Sequence, residues 1–304
     1  MHAPLSGLVA APFTPFRPNG DLALETIPQL AALLVRNGVK GAFVCGTTGE
    51  GSSLTSEERR EVAAAWRAAA PRELALAVHV GHLSLRESQA LARHAQQIGA
   101  DAVATLAPCF FRPAGVADLV AWCADIAAAA PGLPFYYYHM PAMTGVNIPV
   151  RDFIAETAGR IPNFAGIKFT HEDLADYADS RQRAQGRHRL LFGRDEMLLS
   201  ALEIGAEGAV GSTYNYAAPL YLRLMQSFAA GDLEAARTRQ AQAREFIAIM
   251  NSLGGLPAGK AIMKLIGIDC GPVRQPLRSL EPAAEIVLRT KLEACKFFEY
   301  ASRT

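Results

Sequence analysis

A short unit recurs along the chain. It runs through RNGVKGAFVCGTTGE from Arg36, QQIGADAVATLAP from Gln96 and LEIGAEGAVGSTYN from Leu202. Each copy passes from the end of a helical pattern, through a glycine and a tight turn, into a strand of small apolar residues and then a polar loop. A glycine at that point suits the left-handed cap that ends a helix. The strand portions are apolar throughout instead of alternating, the pattern of parallel strands covered by helices. Repetition of this unit constrains the fold more than any other feature.

Extended along the chain, the pattern predicts strands near 7–14, 41–45, 74–80, 102–107, 134–139, 164–170, 189–193 and 208–213. Helices are predicted near 25–37, 56–69, 84–98, 115–129, 150–158, 172–184, 196–204 and 217–229, the second opening on Thr55 or Ser56 as its cap. Eight alternating units in about 225 residues fit an α/β chain closed as a (β/α)8 TIM barrel better than an open doubly wound sheet. Two smaller α/β domains are the alternative, but no Gly/Pro/Ser-rich linker divides the chain. Beyond residue 230 the strand pattern stops, and three helical segments follow with GPVRQP between the last two. The expected organisation is a catalytic barrel over 1–229 and a C-terminal helical extension over 230–304 packed on it.

With 30 basic and 29 acidic residues, the net charge of +1 gives no footprint for nucleic acid and no membrane-attracting face. Five scattered cysteines without a CxxC pair predict free thiols in a reducing, cytoplasmic setting. The opening MHAPLSGLVAAPFTPF has no basic region, and its apolar run is cut by prolines, unlike a signal peptide or a membrane span.

One residue breaks the strand pattern. In FAGIKFT, Phe164 to Thr170, a lysine interrupts an otherwise buried strand. Burying an ammonium group is costly, so chains seldom do it without a purpose. Strand alternation puts Gly166, Lys168 and Thr170 on one face and Ala165, Ile167 and Phe169 on the other. If the latter face meets the helices, Lys168 points into the barrel near its C-terminal end, where barrel active sites are built. A lysine in a confined, partly dry site loses affinity for its proton, and its neutral amine attacks a carbonyl to form a Schiff base. The alternative is a structural lysine paired with an acid such as Glu50. The other five lysines, Lys260 and Lys264 among them, have ordinary solvated readings. On the neighbouring strand, Tyr136 and Tyr138 share a face, and a tyrosine hydroxyl beside an imine can move protons. The loop GTTGEGS from Gly46 offers backbone N–H groups and hydroxyls to a carboxylate. His139 is expected to face outward. His79 and His82 have no partners at metal-ligand spacing, so neither a metal nor another cofactor is expected.

Together GTTGE at 46–50, YYYHMPAMTG at 136–145 and GIKFT at 166–170 resemble the dihydrodipicolinate synthase / N-acetylneuraminate lyase family of pyruvate-dependent class I aldolases. The likeness covers essentially the whole chain. LPFYYYHMPAMTGV, LLFGRDEMLLSAL and GAVGSTYNY are nearer to the lyase branch. The resemblance implies that Lys168 forms the Schiff base and Tyr138 moves the proton. It implies that Thr47 and Thr48 bind the keto-acid carboxylate, and that Asp195 and Glu196, with Gly193 and Ser212, hold a hydroxylated tail. Thr170 would lie near the substrate's 4-position. The implied reaction is reversible cleavage of sialic acid to N-acetylmannosamine and pyruvate, in a homotetramer. A different 2-keto-3-deoxy sugar acid, or a catalytically silent sugar-acid sensor on the same barrel, remain alternatives. Dihydrodipicolinate synthesis is disfavoured, because Met143 stands where the synthases carry an arginine for a second carboxylate. In APCFFRP, Phe110 and Phe111 likewise lack the hydroxyl that many members contribute to a proton relay across a subunit interface.

Overall fold

In the computed structural model, which describes residues 5–304, eight parallel strands close on one another in sequence order. The chain runs β1 (Gly7–Ala10), α1 (Ile27–Arg36), β2 (Gly41–Val44), α2 (Ser56–Ala69), β3 (Ala75–His79), α3 (Leu85–Gln97), β4 (Ala102–Leu106) and α4 (Val116–Ala127). It continues through β5 (Phe135–His139), α5 (Pro141–Thr144), α6 (Val150–Glu156), β6 (Phe164–Phe169), α7 (Leu174–Ala184), β7 (Arg189–Phe192), α8 (Leu198–Glu203), β8 (Gly208–Gly211) and α9 (Tyr214–Ala229). Three further helices complete it: α10 (Leu233–Ser252), α11 (Leu256–Leu265) and α12 (Pro282–Ala294). The closed (β/α)8 barrel is the fold that the repeated unit predicts. Of the opening stretch, residues 1–4 lie outside the described residues. No single helix among the described residues is long and apolar enough to cross a membrane.

Two apolar layers sandwich the strands. The outer one joins strand residues such as Phe135, Tyr137, Ile167, Phe169 and Phe192 to the helices. The inner one fills the barrel with Val9, Phe43, Ala77, Ala102, Ala104, Tyr136, Tyr138, Leu191 and Val210. Alanines on β3 and β4 leave the volume that Phe43 and the two tyrosines occupy, since a close-packed interior must balance large residues against small ones. Leu5 joins the inner cluster, and its N–H donates to the Tyr136 hydroxyl at 3.2 Å.

Several boundaries differ from the sequence-based expectation. β1 ends at Ala10, not near 14, because Pro12 has no N–H for the ladder. α9 begins at Tyr214, before the predicted 217, and carries Pro219; the kink falls at Ala217, with φ −135°. The Ala218 N–H, next to that kink, donates to Ser302 Oγ. The four-residue α5 was not predicted. Ala165 is a correction of face: it packs with the inner cluster and not with Ile167 and Phe169. The β5–β6 register shifts between Phe135 and Tyr136, pairing Phe135 with Phe164 but Tyr136 with Gly166. Such a bulge re-aims the side chains beyond it.

α10 packs along α9 and also contacts α8, α11 and α12. The end of the chain is tied back as well, with Arg303 N–H donating to Asn37 Oδ1 and Ser302 N–H to Tyr216 O.

Ala165 is the unpaired residue of the bulge, and its neighbour Gly166 stays small because nothing larger fits. A Cβ there would lie 2.0 Å from the Arg189 carbonyl oxygen on β7. Gly166→Ala is therefore predicted to destabilise the barrel by about 2–3 kcal/mol, the scale of overpacking a rigid core. Urea unfolding of the two proteins checks this; matching midpoints would contradict it.

Candidate active site

Beyond the bulge, β6 carries Lys168 into the barrel. Its register partners are Tyr138 on β5 and Leu191 on β7. The side-chain nitrogen lies 3.8 Å from the centroid of the Tyr138 ring and 4.3 Å from that of Phe43. The residue is buried and enters no ion pair among the described residues. Glu50, the acid considered as its partner, pairs instead with Lys260 at 2.9 Å. This also corrects the reading of Lys260, which is buried, while Lys264 is exposed beside Glu285.

Packing fixes the two rings that flank Lys168. Phe43 meets Tyr138 edge-on at 5.5 Å, and His79 meets Tyr138 edge-on at 5.9 Å. The His79 Nε2 accepts from the Leu106 N–H, which leaves the proton on Nδ1 facing the Cys45 carbonyl. Burial first, then the Arg59 and Lys168 charges, hold His79 far below its usual pKa, so it stays neutral. Arg59, itself buried, donates to the carbonyls of His79 and Gly81 at the end of β3. From sequence His79 was weighed only as a metal ligand and Arg59 not at all, because a histidine and an arginine far apart give no sign of meeting. His139 lies on the opposite face, among Tyr137, Phe169 and His171, and burial pushes it down to about 3.

A cavity of about 300 Å³ opens at the C-terminal ends of the strands. Lys168, Tyr138, Thr47, Thr48, Thr170, Gly193, Asp195, Glu196 and Ser212 all line it. On one side stands the loop after β2, where the Thr47 hydroxyl lies 3.3 Å from the Tyr138 hydroxyl. The loop is drawn tight, with Gly51 N–H bonded to Gly46 O; a Cβ on Gly51 would strike the Cys45 carbonyl. Thr170 follows β6, and its hydroxyl oxygen is buried without a hydrogen-bond partner among the described residues. A Cβ on Gly193 would sit 2.0 Å from that oxygen, so glycine there preserves its space.

Asp195 and Glu196 occupy a 3-10 turn after β7. Asp195 Oδ2 accepts from the Thr213 N–H at 3.0 Å and the Thr213 hydroxyl at 2.6 Å. Glu196 pairs with Arg194 at 3.1 Å, and Arg194 also reaches Glu172 at 3.7 Å. Two α10 side chains pin the turn: Gln240 bonds Asp195 O, and Arg244 bonds Glu196 O. The C-terminal helices also supply cavity wall, including Met250, Asn251, Gly255 and Gly259, none of which the sequence analysis placed at the site. The available signal was GGLPAGK, where two glycines with positive φ turn α10 into α11. A buried lysine, several hydroxyls and two carboxylates thus share one cavity.

This fold and site define an enzyme built on a (β/α)8 barrel. The chain belongs to the dihydrodipicolinate synthetase family, whose model matches residues 4–295. It is 44% identical to N-acetylneuraminate lyase of Rattus norvegicus over 97% of this chain and 94% of the rat protein. The structure of Proteus mirabilis N-acetylneuraminate lyase superposes with a TM-score of 0.94 at 41% identity, over 97% of this chain and all of that one. The Aliivibrio salmonicida enzyme gives 0.94 and 41% as well, over 97% of this chain and 98% of its own.

Asp195 generates a pH prediction. Burial raises its carboxyl to about 6, against the two Thr213 hydrogen bonds that lower it. Because the folded value exceeds the unfolded one, the group favours folding fully below about pH 4, and that contribution is lost as pH rises through 6. Asp195→Asn cannot ionise, so its stability relative to the parent should rise between about pH 4 and pH 8, by up to about 3 kcal/mol. Denaturant titrations of both proteins across that range test it; a pH-independent gap would contradict the assignment.

Proposed function

We propose that this protein is an N-acetylneuraminate lyase, reversibly cleaving sialic acid to N-acetylmannosamine and pyruvate through a Schiff base on Lys168. The observation that carries the reading is the Lys168 amine, held inside the barrel between two aromatic rings without a carboxylate beside it. An amine so placed serves no ion pair among the described residues and faces the cavity. The relatives that share the fold and over two-fifths of the residues are lyases of this name.

In this reading Thr47 and Thr48 hold the keto-acid carboxylate. The Lys168 amine adds to C2, water leaves, and a protonated imine forms. Tyr138 takes the proton from the 4-hydroxyl while its own phenolic proton passes to the substrate carboxylate; the C3–C4 bond breaks, and the bonding electrons pass into the imine to give an enamine. The aldehyde of N-acetylmannosamine departs. Tyr138 gives a proton to C3 and recovers one from the carboxyl group, and water hydrolyses the imine to free pyruvate and the amine. Thr170, whose hydroxyl has no partner among the described residues, lies beside the 4-position in this reading. Asp195, Glu196, Gly193 and Ser212 receive the polyol tail, because ionised carboxylates accept several hydroxyl donors at once. Met143 supports the lyase over the synthase: it is uncharged and 63% exposed, offering nothing to a second carboxylate.

For the assembly we favour a homotetramer of cytoplasmic location. Phe110, Phe111 and Leu83 are 75%, 86% and 58% exposed around one recess, an apolar patch that another copy would cover. Five free cysteines, three of them buried, suit a reducing compartment.

Incubation with pyruvate and borohydride should add the mass of the reduced adduct to the peptide holding Lys168, and sialic acid should be turned over faster than other 2-keto-3-deoxy acids. Lys168→Ala should abolish turnover with the fold intact, and an active variant would end the imine assignment. Tyr138→Phe should slow turnover by about 10²–10⁴-fold while pyruvate still forms its adduct. An unchanged rate would remove Tyr138 from proton transfer.

A further inference from the structure

The loop that carries Thr47 and Thr48 is anchored to the C-terminal helices by a buried charge pair. Lys260 Nζ and Glu50 Oε1 are 2.9 Å apart, with side chains only 3% and 1% exposed. Glu50 Oε2 accepts from the Arg274 N–H at 2.8 Å, while Lys260 donates to the Pro272 carbonyl at 2.6 Å and lies 4.3 Å over the Phe16 ring. Glu50 adopts the left-handed conformation, φ 53°, and its N–H bonds the Thr47 carbonyl at 3.0 Å. Displacement of Glu50 is therefore passed directly to Thr47. At the other end, Lys260 follows Gly259, which lines the cavity.

We propose that Glu50 and Lys260 are positioning residues for the keto-acid carboxylate, making the cradle a composite of the β2 loop and α11. The inference rests on the reading that Thr47 and Thr48 bind that carboxylate. A buried ion pair adds little net stability over an apolar pair of the same volume, yet loss of one partner strands the other charge. The Glu50–Lys260 pair thus serves geometry: it fixes where a tight, hydroxyl-bearing loop stands relative to Lys168. Without Lys260, the Glu50 carboxylate must turn toward water or take up a proton, and either change moves the loop. Catalysis is sensitive to such shifts, since a misplacement of about 1 Å costs on the order of a hundredfold.

The test is a double-mutant cycle on Lys260→Met and Glu50→Gln, read by the pyruvate concentration that gives half-maximal borohydride-trapped adduct, with thermal unfolding followed in parallel. Each single variant should raise the half-saturating concentration by about ten- to a hundredfold, more than it lowers the maximal rate. The double variant should be impaired less than the product of the two, because no orphan charge remains. Half-saturation within twofold of the parent in folded single variants, or effects that simply multiply, would overturn the proposal, even if melting temperatures fell. Should Lys260→Met not fold, Glu50→Gln decides by the same twofold limit. Absence of any adduct in the parent protein would instead overturn the lyase reading on which the proposal rests.

Discussion

Lys168 stands inside a closed barrel because β6 is bulged ahead of it and Gly166 leaves room for the neighbouring strand. The amine then meets ring faces, not carboxylates. A ring face favours a cation only modestly compared with water or an acid, so the nitrogen is not locked into a permanent ion pair. The rest of the interior follows from seating it there. Alanines on β3 and β4 provide the volume, Phe43 and Tyr138 provide the walls, and neutral His79 braces Tyr138 without adding charge.

The cavity has two chemically different sides. Around the loop after β2 the available groups are hydroxyls and backbone N–H groups, which suit an anion. Around the turn after β7 they are carboxylates, which suit hydroxyl donors. Asp195 is buried at the expense of its ionisation, while Glu196 stays at the rim in contact with Arg194. Both sides are held by the C-terminal helices, the first through Lys260 and the second through Gln240 and Arg244. Residues 230–304 are thus structurally joined to the cavity and not merely laid against the barrel.

Much of this arrangement was legible in the chain itself. Repetition of helix, glycine and apolar strand is a local signal, and eight such units leave a closed barrel as the economical way to bury every strand. A lysine in an apolar run stands out for the same local reason, as does a loop such as GTTGE. The nine residues selected on those grounds and by family resemblance do come together around one cavity. Less legible was anything that depends on a partner distant in sequence. Glu50 was considered as an acid that could pair with Lys168, but Lys260, 210 positions further on, holds it.

Local pattern therefore determined the order of elements, the parallel sheet and the inward lysine, since periodicity and glycine placement act over a few residues. Tertiary structure decided which charges meet, which side of the sheet Ala165 occupies, and that α10 and α11 wall the site. Those outcomes follow from register and from how helices pack over the closed strands, and each is set by contacts that no short window of sequence contains.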